Sequence, residues 1–426
     1  MTKDISVPDH VWDMIFRKIK SPSLLMKLRE VNKYFSEKIN GIFEDTCMWK
    51  NLCTPRIESW IYNILKLKYP YSIHRGTDVL SHKNFKDHYI SFQKWRRVLT
   101  LAKPKINVNY QKFFRENEEI TCNHVFANYI IFGTNLGRVH YAEISRPDLL
   151  FMTAKFKNPI REIKFWFTDS ENIIIVIVTE RNELKFWHWS RNIEISSLMS
   201  YTVQHIDVGL DNRCFVVNNL VITEFKYENN RLFPMRQCRI PYDNLAESRF
   251  LSMYNLSDKF IVMVKNREVI NVYETNFPST YSENLILEES YTSNYNMTFD
   301  ENKYIASSIP TKESGFVMNE EEILVTDKYS GQKWIHYKLN KRNTDATKGK
   351  LVYGSMFANI YFLCWDRGSV DKVTIKKTKN RTGFVMKKFK KSLTFNEPII
   401  AINFTESNNN SYAIFTTKRS SYYLTK

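Results

Sequence analysis

Apolar positions follow one period up to about residue 104 and another beyond it. Upstream, Val11, Trp12, Ile15, Phe16 and Ile19 recur at three- and four-residue spacing, which lays them along one face of an α-helix. Pro8 suits the first turn of that helix, where its missing N–H is not needed. Ser21-Pro22-Ser23 ends the helix and offers a cap to a second one, which carries Leu24, Leu25, Leu28 and Val31 at helical spacing. A third helix is predicted around Tyr34, Phe35 and Ile39, and Trp49 and Leu52 anchor a short fourth. Helices this short are marginal alone and must pack on one another or on a partner. The segment 57–100 keeps the helical pattern, with Trp60, Ile61, Ile64 and Leu65 on one face and then Phe85, Tyr89, Phe92, Trp95 and Leu99. It reads as a helical connector that sets distance and angle between two domains.

Downstream of residue 104 the helical period gives way to short β-rich runs bounded by turn residues. The runs beginning at Tyr129, Ile173 and Phe260 each hold an apolar strand, a polar turn and a second alternating strand, the signature of a β-hairpin. Comparable pairs start near Cys214, Tyr304, Ile360 and Tyr412, at intervals of about 41 to 56 residues. A repeat of roughly 40–45 residues with several strands per unit is the period of propeller blades, the longer intervals being loop insertions. A β-sandwich or a stack of smaller β-domains is the alternative. The expected organisation is multidomain α + β: small all-α helices at 1–55, a helical connector at 56–103, and an all-β propeller of about seven blades at 104–426.

Composition narrows the function classes. Hydrophobic residues make up 43% and aromatic residues 15%, ample for a buried core, and with 11 glycines and 12 prolines flexible linkers are expected to be few. The longest strongly apolar run, Ile173 to Val178, is far short of the roughly 20 residues of a membrane span and reads as a buried strand. Charges appear at once at the N-terminus, so a soluble, intracellular chain, cytoplasmic or nuclear and with no membrane partner, is expected. The six cysteines form no C-x-x-C pair and have no zinc spacing with histidine, so they read as reduced, mostly buried thiols. A zinc-chelated RING is thereby excluded from this pattern. No dinucleotide, P-loop or nucleophile-elbow motif occurs, and His82 and His88 lack the metalloprotease frame. No catalytic residues, metal ligands or cofactor are expected, and the chain reads as non-enzymatic.

The first helices carry an ordered set of motifs: Val7-Pro8, then Ile15-Phe16-Arg17-Lys18-Ile19, then Leu24-Leu25-Met26-Lys27-Leu28-Arg29-Glu30-Val31, then Lys33-Tyr34-Phe35, then Met48-Trp49-Lys50-Asn51-Leu52-Cys53. This order resembles the F-box family, with Val for Leu at 7, His10 at a commonly acidic position, Asn32 at a common Cys position and Met for Leu at 48. The resemblance implies a Skp-type adaptor that links the chain to a cullin scaffold. Adaptor contacts are expected among Val7, Pro8, Ile15, Phe16, Leu24, Leu25, Leu28, Val31 and Trp49. These are too many apolar side chains for so small a helical unit to bury internally, and the remainder would form an exposed patch. Downstream, the chain resembles WD-repeat-like propellers only in its period. The one Trp-Asp pair, Trp365-Asp366, precedes a turn, does not read as a strand end, and is taken as chance.

Charge adds one candidate surface. The net charge is +17, and residues 341–426 hold 17 Lys/Arg against 5 Asp/Glu. The segment from Lys372 to Lys391 is densest, with Lys372, Lys376, Lys377, Lys379, Arg381, Lys387, Lys388, Lys390 and Lys391. Lys387, Lys388, Lys390 and Lys391 are candidates for binding an acidic or phosphorylated target, against a plain lysine-rich solvated hairpin. The expected function is the substrate-recognition subunit of a cullin-RING (SCF-type) ubiquitin ligase. The alternative is a non-degradative scaffold or a nucleic-acid-associated basic propeller.

Overall fold

The computed structural model of the chain describes residues 7–19, 21–46, 48–53, 64, 67, 82–168, 172–195, 203–208, 213–241, 247–256, 259–266, 269–276, 288–292, 304–311, 314–327, 332–339, 348–357, 360–377, 384–389 and 392–425. Two compact units separate: Met1–Ile64 with Arg75–Gln93, and Leu65–His74 with Lys94–Lys426. No helix among the described residues is long and apolar enough to cross a membrane.

The first unit holds helices α1 (Asp9–Lys18), α2 (Pro22–Leu28), α3 (Lys33–Asp45) and α4 (Met48–Cys53), with the start of α5 (His82–Thr100). Local chemistry sets their ends. Pro8 stands outside α1 as its N-cap rather than in its first turn, extended at ψ 146°, and its carbonyl accepts from the Val11 N–H at 2.9 Å. The Ser21 hydroxyl accepts from the Leu24 N–H at 3.4 Å, and the Asn32 side chain accepts from the Phe35 N–H at 2.8 Å. Because Asn32 is already the cap of α3, α2 cannot run on to Val31. It stops at Leu28, and the Val31 N–H closes a turn onto the Leu28 carbonyl at 3.2 Å. Phe16, Leu25, Ile39, Ile42, Phe43 and Trp49 form the buried core of this unit, with Trp12, Ile19, Phe35, Phe85 and Tyr89 packed around it. Of the connector residues, Ile64 is buried, while Trp60, Ile61 and Leu65 lie outside the described residues.

The second unit is a seven-bladed β-propeller. Six antiparallel sheets follow in chain order: blade 1 over 120–155, blade 2 over 160–195, blade 3 over 205–239, blade 4 over 248–292, blade 5 over 304–338 and blade 6 over 351–388. The seventh joins Ala401–Ser407, Asn410–Thr416 and Ser420–Leu424 to the early strand Ile106–Asn109, which pairs as its outermost member with Ile106 opposite Tyr423 and Asn109 opposite Ser420. The first strand of each blade touches the first strand of the next, and that of blade 7 touches that of blade 1, so the ring is closed.

The second strands explain the continuous apolar runs. A blade is packed on both faces, so both alternating sets of side chains are buried. In Ile173–Thr179, Ile174, Val176 and Val178 pack towards blade 3, while Ile175 and Ile177 pack towards blade 1. The hairpins expected from Tyr129, Ile173, Cys214, Phe260, Ile360 and Tyr412 all lie on the second and third strands of their blades. The one expected from Tyr304 does not. Tyr304–Thr311 is the first strand of blade 5 and Ser314–Asn319 its second, which accounts for the long interval to Ile360. Trp365 is the last residue of the second strand of blade 6, so the Trp365-Asp366 pair does end a strand, contrary to the reading above. With glycine scarce, asparagine takes the left-handed turn positions, as at Asn182, Asn219 and the Asn408-Asn409 pair.

The last turns of α5 belong to the propeller. Trp95 is fully buried there, its indole N–H donates to Glu406 Oε1 at 2.7 Å, and its ring lies 4.7 Å from that of Phe357. Lys94 donates to the Asn409 carbonyl at 2.8 Å. Lys94–Thr100 therefore clamps blade 6 to blade 7.

Two glycines test the packing in opposite directions. A Cβ on Gly133 would meet Ile160 Cβ at 2.7 Å and Cys122 Sγ at 2.8 Å, whereas one on Gly41, inside α3, meets nothing within 4 Å. Gly133→Ala should cost about 1–3 kcal/mol by overpacking blade 1 against blade 2, and Gly41→Ala should stabilise the helical unit by about 0.5–1 kcal/mol. Guanidinium unfolding followed by tryptophan fluorescence checks both; a Gly133→Ala midpoint at or above wild type would show that the two blades are not in close contact there.

Candidate functional site

The residues expected to meet an adaptor divide by burial. On α1 and its C-cap, Trp12, Phe16 and Ile19 are spaced to face inward, where Phe16 lies 5.0 Å edge-on to Phe35 and Trp12 4.7 Å from the same ring. Leu25 comes in from α2. Trp49 of α4 stands T-shaped to Phe43 at 4.7 Å, with the Arg29 guanidinium 5.3 Å above its ring. Phe16, Leu25 and Trp49 are therefore core residues, and Leu28 is half-buried.

Ile15, one position from Phe16, points away from that core and is 41% exposed, and Leu24, beside Leu25, is 46% exposed. Val7 and Pro8 are exposed ahead of α1, and Val31 is 61% exposed in the turn after α2. Met14, which sequence periodicity passed over, is 54% exposed next to Ile15. Its signal was present: a large apolar side chain off the inward stripe of a short helix. A polar edge runs between α1 and α3. There Tyr34 donates to Asp9 at 2.6 Å, Lys38 reaches Asp9 and Asp13 at 3.3 and 3.6 Å, and Arg17 pairs with Asp45 at 2.9 Å. The Tyr34 hydrogen bond holds the Asp9 carboxyl below its usual pKa and pushes the Tyr34 phenol up to about 12.

The basic segment is less open than its composition suggests. Lys372 is only 2% exposed, and its ammonium donates to the carbonyls of Leu99 and Leu101 at 2.8 and 2.7 Å. It satisfies carbonyls at the end of α5 that the helix itself leaves unpaired. Lys388 lies 2.9 Å from Asp371, which also holds Lys348 at 2.8 Å and accepts from the Ser392 hydroxyl at 2.6 Å. Burial of Asp371 opposes its ionisation, but these hydrogen bonds outweigh it and keep its pKa below the usual carboxylate value. Lys387 is exposed; Lys390 and Lys391, with Lys379 and Arg381, lie outside the described residues. Of the four candidate target-binding lysines, Lys387 and Lys388 are exposed, Lys388 being ion-paired as well, and the other two lie outside the described residues.

Other chemistry is sparse. The thiols of Cys53, Cys122, Cys214, Cys238 and Cys364 are free, and burial pushes every one of them up, Cys53 to about 11. They are poor nucleophiles. Among the described residues no group of three or more His, Cys, Asp or Glu is placed to hold a metal ion.

No protein-family model matches the chain, and no curated protein matches it by sequence. Among solved structures it is similar to a computationally designed protein, Ika8 (TM-score 0.45, 10% identity, covering 75% of this chain and 99% of that one). It is also similar to the C-terminal WD40 domain of Sif2 (0.46, 11%, 73% and 83%) and to a chain of the mitotic checkpoint complex (0.48, 6%, 76% and 92%). The propeller assignment rests on the strand pairing described above.

Burial pushes the Lys372 pKa down to about 8. The neutral amine keeps two N–H groups, enough for both carbonyls, so deprotonation leaves the contact intact. Between about pH 8 and 10 the folded chain then releases a proton that the unfolded chain retains, and stability rises with pH. Melting temperatures of wild type and Lys372→Met, measured from pH 7 to 10, should diverge in favour of wild type as pH increases. A difference that stays constant or shrinks would mean that the buried ammonium keeps its ordinary pKa.

Proposed function

We propose that this chain is the substrate-recognition subunit of a cullin-RING (SCF-type) ubiquitin ligase, docking a Skp-type adaptor through its first helices and holding a target on its propeller. The observation that carries the reading is the split within the F-box-like motifs. Phe16, Leu25 and Trp49 hold the helices together, while Val7, Pro8, Ile15, Leu24 and Val31 remain exposed in the same short stretch. A small unit that leaves this much large apolar surface in water is built to cover it with a partner. Catalysis would come from the recruited enzyme, and the contribution of this chain would be positioning, which turns a rare encounter into an effectively intramolecular one.

Ile15→Asp/Leu24→Asp is the informative variant, because both side chains are exposed and the core residues stay untouched. Co-expressed with a Skp-type adaptor, wild type should co-purify. The double variant should melt at the wild-type temperature yet bind at least about thirtyfold more weakly, the effect of losing roughly 2 kcal/mol at an interface anchor. Folded wild type that fails to bind the adaptor at low salt would overturn the proposal. Adaptor binding without ubiquitin transfer to any co-purified protein would leave a non-degradative scaffold.

A further inference from the structure

Large apolar side chains are also exposed on the propeller, and they concentrate on the outermost strands of three consecutive blades. Leu149, Phe151 and Met152 lie on Arg146–Lys155 of blade 1, Ile193 on Ile193–Ile195 of blade 2, and Phe233 and Met235 on Arg231–Arg239 of blade 3. Phe151, Met152 and Ile193 are 49%, 57% and 51% exposed, so none is a core residue that merely reaches the surface. Phe151 is supported from below: its ring stacks on Tyr141 at 5.4 Å, and Tyr141 in turn meets Trp189 of blade 2 edge-on at 5.1 Å. An aromatic ladder thus runs from the interior between blades 1 and 2 out to the rim.

The three edges are joined side to side. Thr153 donates to the Asn192 side chain at 3.3 Å, linking blade 1 to blade 2, and Arg191 donates to the Asn230 side chain at 2.7 Å, linking blade 2 to blade 3. Each link sits within three residues of an exposed apolar side chain, so the three edges that carry the six are bonded side to side into one strip of rim. Pro147 and Pro234 interrupt two of the three strands and remove backbone donors there, which disfavours recruitment of a partner by strand addition. Recognition along this strip has to run through side chains.

Charge selects the partner. Arg146, Lys155, Arg191 and Arg231 are exposed along the strip, and Asp148 is the acidic counterpart among its exposed residues that is not ion-paired to a neighbour. Glu194 is taken up by Lys185 at 3.1 Å. Arg191 bonds a neutral amide, so that contact leaves its charge uncompensated. An apolar strip in a positive field suits a chain that brings both bulky apolar groups and carboxylates. We propose that the outer edges of blades 1–3 dock a protein segment whose large apolar side chains are interspersed with aspartate or glutamate. The proposal deepens the target-holding role suggested above but does not depend on adaptor binding, and the two can fail separately.

The test is selection of a random 16-residue peptide library on the full chain, followed by fluorescence anisotropy of the enriched peptides. Wild type, Phe151→Ser/Ile193→Ser/Phe233→Ser and Arg191→Glu/Arg231→Glu are compared, with melting temperature and adaptor binding measured on each. Enriched peptides should combine acidic and bulky apolar residues and bind both variants at least tenfold more weakly, with melting and adaptor binding unchanged. Four outcomes would overturn the proposal: no enrichment, enrichment of peptides without acidic residues, equal binding by wild type and variants, or a wild-type dimer in sedimentation that the serine variant abolishes. The last would make the strip a contact between copies of this chain.

Discussion

The propeller depends on one short pairing. Ile106–Asn109 must find Ser420–Tyr423, more than three hundred residues later, before the seventh blade has its fourth strand. Without it blade 7 would be left with three strands, and blade 1 would pack against an incomplete neighbour. Polar contacts reinforce the same seam. Asn403 donates to Asn123 at 2.6 Å, Asn123 to Thr416 at 2.6 Å, and Glu119 pairs with Lys418 and Arg419 at 3.0 and 3.2 Å. Beside it, Glu118 is buried among Arg138, His140 and Thr134 at about 3 Å from each. Burial opposes ionisation of Glu118, but its hydrogen bonds prevail and its pKa falls below the ordinary value. So non-local a contact is costly in loop-closure entropy, and it becomes favourable only when the intervening blades have formed.

The helical unit faces a different constraint, that of too little interior. A ten-residue helix such as α1 can turn one stripe inward, and Trp12 and Phe16 occupy it, continued by Ile19 at the C-cap. Met14 and Ile15 are left outside, as Leu24 is when Leu25 enters the core. The periodicity that makes these helices recognisable also overstates how many of their apolar residues support the fold. The surplus is what gives the unit an apolar surface, and a burial pattern of this kind separates residues whose loss would unfold the unit from those whose loss would only strip a surface.

Net charge misleads in a related way. Part of the positive charge is already committed within the fold: Arg138 and Arg236 are buried in ion pairs with Glu118 and Glu224, Lys348 and the exposed Lys388 share Asp371, and Lys372 is buried against the last carbonyls of α5. Composition counts these side chains as surface. In the fold they are bonded within or between blades, so the basic C-terminal fifth of the chain does not translate directly into a basic face. The rim of blades 1–3, drawn from a less basic part of the sequence, carries exposed cations next to exposed apolar side chains instead.

Much of the architecture was legible from period alone. The switch from helical to strand spacing, the seven repeats and the hairpins at Tyr129, Ile173, Cys214, Phe260, Ile360 and Tyr412 all follow from local patterns, because a strand buried on both faces must be apolar throughout and a turn must offer residues tolerant of left-handed backbone. The capping roles of Ser21 and the stop at Ser21-Pro22-Ser23 are local in the same sense. What period could not decide was direction and partnership. Whether Ile15 or Phe16 enters the core, and whether Tyr304 opens a blade or continues one, depend on which surfaces arrive from elsewhere in the chain. So do the burial of Lys372 under α5 and the joining of residue 106 to residue 423. Sequence determines the local conformations because their causes lie within a few residues. Exposure, pairing and site geometry are decided only when segments far apart in the chain compete for the same interior.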